Sequence, residues 1–341
     1  MKRMLAMMLA LMCMLCACGE TEIAIGQSFH DTRAAEDAYG VYYSVKGENH
    51  GLYFYDKSTG EITRVDDCYG NVVLIGDTLV IGDVVQPGPG DVNIYTIPAA
   101  VFRERLADWR DAAEVHENFS WSSDIAVYGE RLAFRNAWAI GEIASADASL
   151  ENTERFYDTN RVLCGYEDGE YYYMHVTPVD EREGYVKLTL CREDTPLFVF
   201  SECWAGSVSF NDYCAVAGGY LYYYYDNLVC RRKLSRYSRM EVLWDGFTGA
   251  FNTRRSLTVE NGKITHIISR YGLMDYSRMN FRAVAADGVY LHQSGGFTRV
   301  APDGSGAVRC LHSFNQNNAC FVSAVDGKYK YACAEGVFIV E

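Results

Sequence analysis

Leu163-Cys164-Gly165-Tyr166-Glu167-Asp168-Gly169-Glu170-Tyr171-Tyr172-Tyr173 reads as a short apolar strand, a glycine-containing turn and an aromatic strand. The same order returns at Cys214-Ala215-Val216-Ala217-Gly218-Gly219-Tyr220-Leu221-Tyr222-Tyr223. Weaker copies are Val284-Ala285-Ala286-Asp287-Gly288-Val289-Tyr290 and Val322-Ser323-Ala324-Val325-Asp326-Gly327-Lys328-Tyr329. Further turns fall at Gly76-Asp77, Gly129-Glu130 and Asn261-Gly262. Asp-Gly, Asn-Gly and Gly-Gly suit two-residue hairpins, because the central positions require positive φ.

A second hairpin follows most copies. Leu52 to Asp56 turns through Lys57-Ser58-Thr59-Gly60 into Ile62-Thr63-Arg64-Val65, and Phe297 to Val300 turns through Pro302-Asp303-Gly304-Ser305-Gly306 into Val308 to Leu311. Val186 to Leu190 followed by Leu197 to Phe200 fits the same slot. Four antiparallel strands at a spacing of about 40 residues mark a β-propeller blade. The chain is therefore expected to be all-β, with eight four-stranded blades and seven as the alternative, since the unit around Ile264 to Phe281 has only a degenerate second hairpin. The last unit ends at Val337 to Val340, one strand short, and Glu22-Ile23-Ala24-Ile25 is the candidate to supply the missing outer strand and seal the ring. Closure removes an edge that would otherwise invite aggregation. Over residues 38–341 the pattern resembles TolB-like and quinoprotein-like propellers, a resemblance that carries over no functional residue.

One segment departs from the strands. After Pro98, residues 99–115 place Phe102, Leu106, Trp109 and Ala113 at spacings of four, three and four, which predicts one short amphipathic helix inserted into a blade. Docking on a neighbouring blade explains Phe102 and Trp109; facing a ligand or partner is the other reading. The aromatic runs Tyr171 to Tyr173 and Tyr222 to Tyr225 raise the same choice. Aromatic faces stack on sugars, but successive strand residues point to opposite faces, and both faces of a blade pack on neighbours. Phe102, Trp109, Tyr172 and Tyr223 are the candidate ligand contacts.

The N-terminus speaks to location. Met1-Lys2-Arg3, an apolar stretch from Met4 to Leu15, and Leu15-Cys16-Ala17-Cys18-Gly19 resemble a bacterial lipoprotein signal. The apolar stretch is well short of the roughly 20 residues that span a bilayer. The resemblance implies a signal peptide over residues 1–17, acylation (palmitate) at Cys18, a tether over 18–37 and a propeller from 38 to 341, lipid-anchored on the extracytoplasmic face of the membrane. Buried acyl chains contribute roughly 0.8 kcal/mol per methylene, enough for stable anchoring when two or more are present.

The formal charge is −14, and losing the two positive charges of Lys2 and Arg3 takes it to −16. An acidic surface repels phosphate backbones, which argues against nucleic acid as a partner. The same charge opposes a polybasic membrane contact, leaving the lipid as the evident attachment. Of twelve cysteines, nine follow Cys18. Cys68, Cys164, Cys191, Cys203, Cys214, Cys230, Cys310, Cys320 and Cys333 show no metal-ligand spacing and read as buried thiols. Cys320 with Cys333, or Cys214 with Cys230, are the alternatives for pairing across strands.

Chemistry is sparse. No nucleophile elbow, His-Glu-x-x-His, P-loop or EF-hand loop occurs, and the seven histidines lie far apart. Asp66-Asp67 and Asp180-Glu181-Arg182-Glu183 read as solvated turns rather than as an acid–base pair. No cofactor or metal is implied, a monomer is expected, and an enzyme is the weaker expectation. The reading is a lipid-anchored module that binds a protein or glycan. The rivals are an extracellular glycan hydrolase or lyase with carboxylates in the central channel, and a cell-envelope assembly scaffold.

Overall fold

The computed structural model describes residues 26–27, 32–83, 92–119, 124–135, 143–179, 183–204, 214–225, 228–245, 256–260, 263–268, 280–285, 287–293, 296–311, 319–325 and 328–340. Blade 1 is formed by Ala34–Glu36, Gly40–Val45, Gly51–Asp56 and Ile62–Asp66, and blade 2 by Val72–Ile75, Thr78–Asp83, Val92–Pro98 and Glu114–Phe119. Asp124–Tyr128, Arg131–Arg135, Ile143–Ala146 and Glu154–Arg155 make blade 3, and Arg161–Glu167, Glu170–Pro178, Tyr185–Arg192 and Thr195–Trp204 make blade 4. Blade 5 comprises Cys214–Ala217, Tyr220–Tyr225, Leu228–Lys233 and Met240–Asp245; blade 6, Asn280–Ala285, Gly288–Gln293, Gly296–Val300 and Ala307–Leu311. Blade 7 has three described strands, Ala319–Val325, Lys328–Cys333 and Gly336–Val340. Every described pairing is antiparallel, and all but that of Gly26–Gln27 join consecutive strands.

The first strand of each blade packs beside the first strand of the next, from blade 1 round to blade 7 and back to blade 1. The ring has seven blades, not eight. The extra unit is the hairpin Ser256–Glu260/Lys263–Ile268, a two-stranded sheet of its own, while the inner strand of blade 5 packs directly on that of blade 6. The inner strands of blades 5 and 6 meet directly, so the ring closes past this hairpin.

In blade 1 burial peaks at the second strand and falls outward from it, the innermost strand Ala34–Glu36 being buried only at Ala35. Gly40–Val45 is buried at every position, Gly51–Asp56 at its first four, and Ile62–Asp66 nowhere. A strand covered on both faces reads as a continuous apolar run rather than an alternating one, which is why Gly-Val-Tyr-Tyr-Ser-Val carries so little polarity. Blade contact is close: a Cβ on Gly165 would sit 2.4 Å from Val216 Cγ2 of the next blade, so only glycine fits there.

Among the described residues, the first and last blades are joined by apolar packing and charge. Val41, Tyr43, Val45 and Tyr53 of blade 1 share a core with Cys320 and Ala332 of blade 7. Glu36 meets Lys330 of blade 7 at 2.6 Å and Lys57 of blade 1 at 2.7 Å, and the Arg33 guanidinium donates to the Ala319 carbonyl at 2.9 Å. The proposed outer strand, Glu22 to Ile25, lies outside the described residues. Its neighbour Gly26–Gln27 pairs instead with the innermost strand of blade 6, Gly26 opposite Val284 and Gln27 opposite Ala283. The inner strand of blade 1, Ala34–Glu36, falls within the stretch read from sequence as tether.

The expected helix over 99–115 is two short ones, Ala99–Glu104 and Trp109–Ala112, between the third and fourth strands of blade 2. The first ends where the Arg105 amide turns to the carbonyls of Val101 and Phe102, and an Arg105–Asp108 ion pair spans the break. The break brings both Phe102 and Trp109 down onto the blade. A one-turn helix, Phe156–Thr159, joins blades 3 and 4.

Candidate interaction surface

The four aromatic residues singled out from sequence all sit in the interior. Phe102 is 0% and Trp109 2% exposed, in a core shared by blades 1 and 2. Their ring centroids are 5.7 Å apart, with Tyr42 at 5.7 Å from Phe102 and Tyr95 at 5.1 Å from Trp109. Tyr172 and Tyr223 are buried in a separate core spanning blades 3 to 5. Burial pushes both phenols up. Cys18 lies outside the described residues.

The insert is held by charge as well as by its rings. Trp109 Nε1 donates to Asp66 Oδ2 at 3.1 Å, and Arg110 Nε reaches the same oxygen at 2.5 Å. Arg110 Nη1 reaches Asp83 Oδ2 at 3.0 Å and donates to the Tyr95 hydroxyl at 2.9 Å. Burial raises the Asp66 carboxyl, but the hydrogen bond and charge of Arg110 outweigh it and hold the group below its usual range. At Asp83 burial wins over Arg110, and the nearby Asp66 adds to it, so that carboxyl is raised. Arg103 ties the other end, pairing with Asp37 at 2.7 Å and lying 4.2 Å over the Tyr39 ring. Sequence reasoning missed this clamp because its members come from four separate strands and turns. The signal available was an Arg beside each of the two aromatic anchors. What the insert leaves outward is acidic: Glu104, Asp108, Asp111 and Glu114 are exposed.

The other groups considered from sequence are similarly engaged. Asp67 pairs with Arg64 at 2.7 Å on the surface, and Glu183 is exposed, while residues 180–182 lie outside the described set. Among the described residues no three His, Cys, Asp or Glu side chains gather as metal ligands. Cys68, Cys164, Cys191, Cys214, Cys230, Cys320 and Cys333 are free and buried. Burial pushes the Cys191 thiol up to about 11 and the Cys214 thiol to about 12, so these two remain protonated and inert at neutral pH.

The centre of the ring holds the chain's own backbone. Gly26–Gln27 runs antiparallel to the inner strand of blade 6 and lies beside those of blades 5 and 3. Just after it, Thr32 joins three blades. Its hydroxyl donates to Asn71 Oδ1 at 3.0 Å and accepts the Ile125 N–H at 3.4 Å, and its carbonyl accepts the Val72 N–H at 2.8 Å.

This geometry distinguishes the two faces. In an up-down-up-down blade, turns 1–2 and 3–4 lie on one face and connection 2–3 on the other, and the chain returns to its starting face before the next blade. The turn face carries tight connections such as Gly76–Asp77, Gly129–Glu130, Asp168–Gly169 and Gly218–Gly219, together with the insert. The opposite, loop face carries the 2–3 connections, residues 46–50 of blade 1 among them. Gly26 pairs near the turn-face end of blade 6's inner strand and Gln27 one residue deeper, so the strand's N-terminal end points to the turn face.

No family model matches the chain, and a search of curated proteins found no match. Solved structures similar to it include a complex described as S. cerevisiae Dbp5 bound to Nup159, Gle1, IP6 and ADP (TM-score 0.41, 8% identity, 93% of each chain covered). Others are the N-terminal domain of Nup159 (0.42, 10%, 94% of this chain and 97% of that) and the β-propeller domain of the Trilobed protease from Pyrococcus furiosus (0.39, 8%, 94% and 95%). At these scores the likeness carries no argument; the propeller architecture rests on strand order and ring contacts.

Proposed function

We propose that this protein is a lipid-anchored extracytoplasmic binding module, tethered at Cys18, that presents the loop face of a rigid seven-bladed ring to a protein or glycan partner. The observation that carries the reading is the strand in the channel. It lies against the inner strands of blades 3, 5 and 6, where a propeller hydrolase would gather its carboxylates, and its N-terminal end points to the turn face. A tether leaving on that side would set the turn face toward the membrane and the loop face away from it. Loops on a rigid scaffold are where binding residues concentrate. Asp66 and Asp83, two carboxylates that meet at Arg110, are both held by that cation, which favours a structural role for this pair over hydrolysis.

Two measurements test it. Cys18→Ser should move the protein from the membrane fraction to the soluble one and abolish fatty-acid labelling; unchanged fractionation would remove the anchor from the proposal. A thermal-shift screen against oligosaccharides, peptidoglycan fragments and peptides should find a stabilising ligand. At a hundred times its dissociation constant, that ligand adds about 2.7 kcal/mol. Turnover of any hit, in place of simple binding, would return the hydrolase to first place.

A further inference from the structure

The most basic stretch of this acidic chain is Arg231-Arg232-Lys233-Leu234-Ser235-Arg236-Tyr237-Ser238-Arg239, five cations in nine residues against a net charge of −14. It closes the third strand of blade 5 and turns into the fourth. Two of the cations build the turn. Arg231 pairs with Glu241 at 2.6 Å and donates to the Pro302 carbonyl of blade 6. Arg232 is 7% exposed, lies 3.8 Å over the Phe198 ring, and donates to the carbonyls of Val199 and Ser238, each at 3.0 Å. Lys233, Arg236 and Arg239 are exposed, and their side chains enter no ion pair or hydrogen bond among the described residues. Between them stands Tyr237, 93% exposed with φ +61°. Left-handed backbone is unfavourable for a bulky side chain, and nothing in the ring packs on this one. Arg232 thus fixes a turn whose tip offers one aromatic ring and three free cations.

We infer that the Lys233–Arg239 turn is a contact for an anionic phospholipid surface. A tyrosine ring settles at headgroup depth, and lysine and arginine are drawn to an anionic leaflet. The turn's place in the fold favours a bilayer over an acidic polypeptide. As the 3–4 connection of blade 5 it lies on the turn face, toward which the N-terminal end of Gly26–Gln27 points. The choice of a membrane therefore rests on the anchored reading proposed above. The other turns of that face include the exposed Asp168, Glu193, Asp194 and Asp303. Lys57 and Lys328 are also exposed on that face, Lys57 in its pair with Glu36, so attraction concentrates on the cations of blade 5 and the ring would meet the bilayer tilted on that blade.

The test uses the full chain carrying Cys18→Ser, with vesicles of phosphatidylcholine with and without phosphatidylglycerol. Each free cation near the surface multiplies binding about fivefold. The triple variant Lys233→Gln/Arg236→Gln/Arg239→Gln should therefore lose about a hundredfold in affinity for the anionic vesicles relative to the parent, which shares its Lys2 and Arg3. Tyr237→Trp should shift its emission to the blue, and be quenched by brominated lipid, on anionic vesicles only. Equal binding by parent and triple variant, or an unmoved emission, overturns the inference. So does soluble polyglutamate that reproduces the shift and displaces the protein from vesicles, since the partner is then an acidic chain. Fatty-acid labelling of the chain with Cys18 intact reads the anchor separately; its failure beside a positive vesicle result would remove the anchor and leave the contact.

Discussion

At the Arg110 guanidinium two carboxylates share one charge. Asp66 gains more from it than burial takes away, and Asp83 does not. Removing the cation leaves both carboxylates partly desolvated. Breaking a fully buried pair costs about 3–5 kcal/mol, but the Arg110 side chain is 37% exposed, and solvent screens part of that. Arg110→Met should accordingly lower unfolding free energy by about 2 kcal/mol in urea titrations. The two acids also predict opposite pH behaviour. Asp66 has a folded pKa below its ordinary 3.8, and Glu36, where Lys330 and Lys57 outweigh burial, lies below its ordinary 4.5. Both contribute stability that is present above those ordinary values and lost as pH falls through the lower folded ones. Asp83 is raised, so in the ionised form it detracts from stability, and acid relieves it. Asp66→Asn and Glu36→Gln should each flatten the acid limb of a stability–pH curve below about pH 4.5, whereas Asp83→Asn should leave that limb in place. A flattened limb in the Asp83 variant would contradict this assignment.

At the scale of elements, the insert after Pro98 behaves as a wedge. Phe102 is fully buried against Tyr42, and Phe102→Ala should cost about 3–5 kcal/mol, read as a lower midpoint in denaturant with the slope unchanged. A smaller loss would mean that the insert is peripheral to the core of blades 1 and 2. Its apolar spacing was legible in the sequence, as were nearly all the hairpins, because Gly-Gly, Asp-Gly and Gly-Glu turns are local chemistry. The break between its two helices was not legible. It depends on where Asp66, Asp83 and Tyr95 sit on neighbouring strands, and the periodicity of 99–115 contains none of that. Tyr172 and Tyr223 make the same point, since a strand buried on both faces and a sugar-binding strand can present the same aromatic run.

For the whole molecule the deciding contact is the seam between blades 7 and 1. There Glu36 bridges Lys330 and Lys57, beside the apolar contact of Tyr43 and Tyr53 with Cys320 and Ala332. A double-mutant cycle on Glu36 and Lys330 should return a coupling of about 1 kcal/mol, the upper end for surface pairs, given their partial burial. No coupling would assign the seam to apolar packing alone. The acidic average of the chain likewise hides the basic turn at Tyr237, because net charge sums over positions that the fold separates.

The amino-acid order by itself determined the all-β class, the hairpin positions, the four-strand unit and the burial of the described cysteines, since each follows from residues close in sequence. Tertiary structure alone decided that the ring has seven blades and leaves one hairpin out. It also decided that Gly26–Gln27 pairs with the inner strand of blade 6, and that the chosen aromatics face inward. Those outcomes depend on which distant strands meet, and that is set by the angle through which blades must turn to close a circle, which no short stretch of chain encodes.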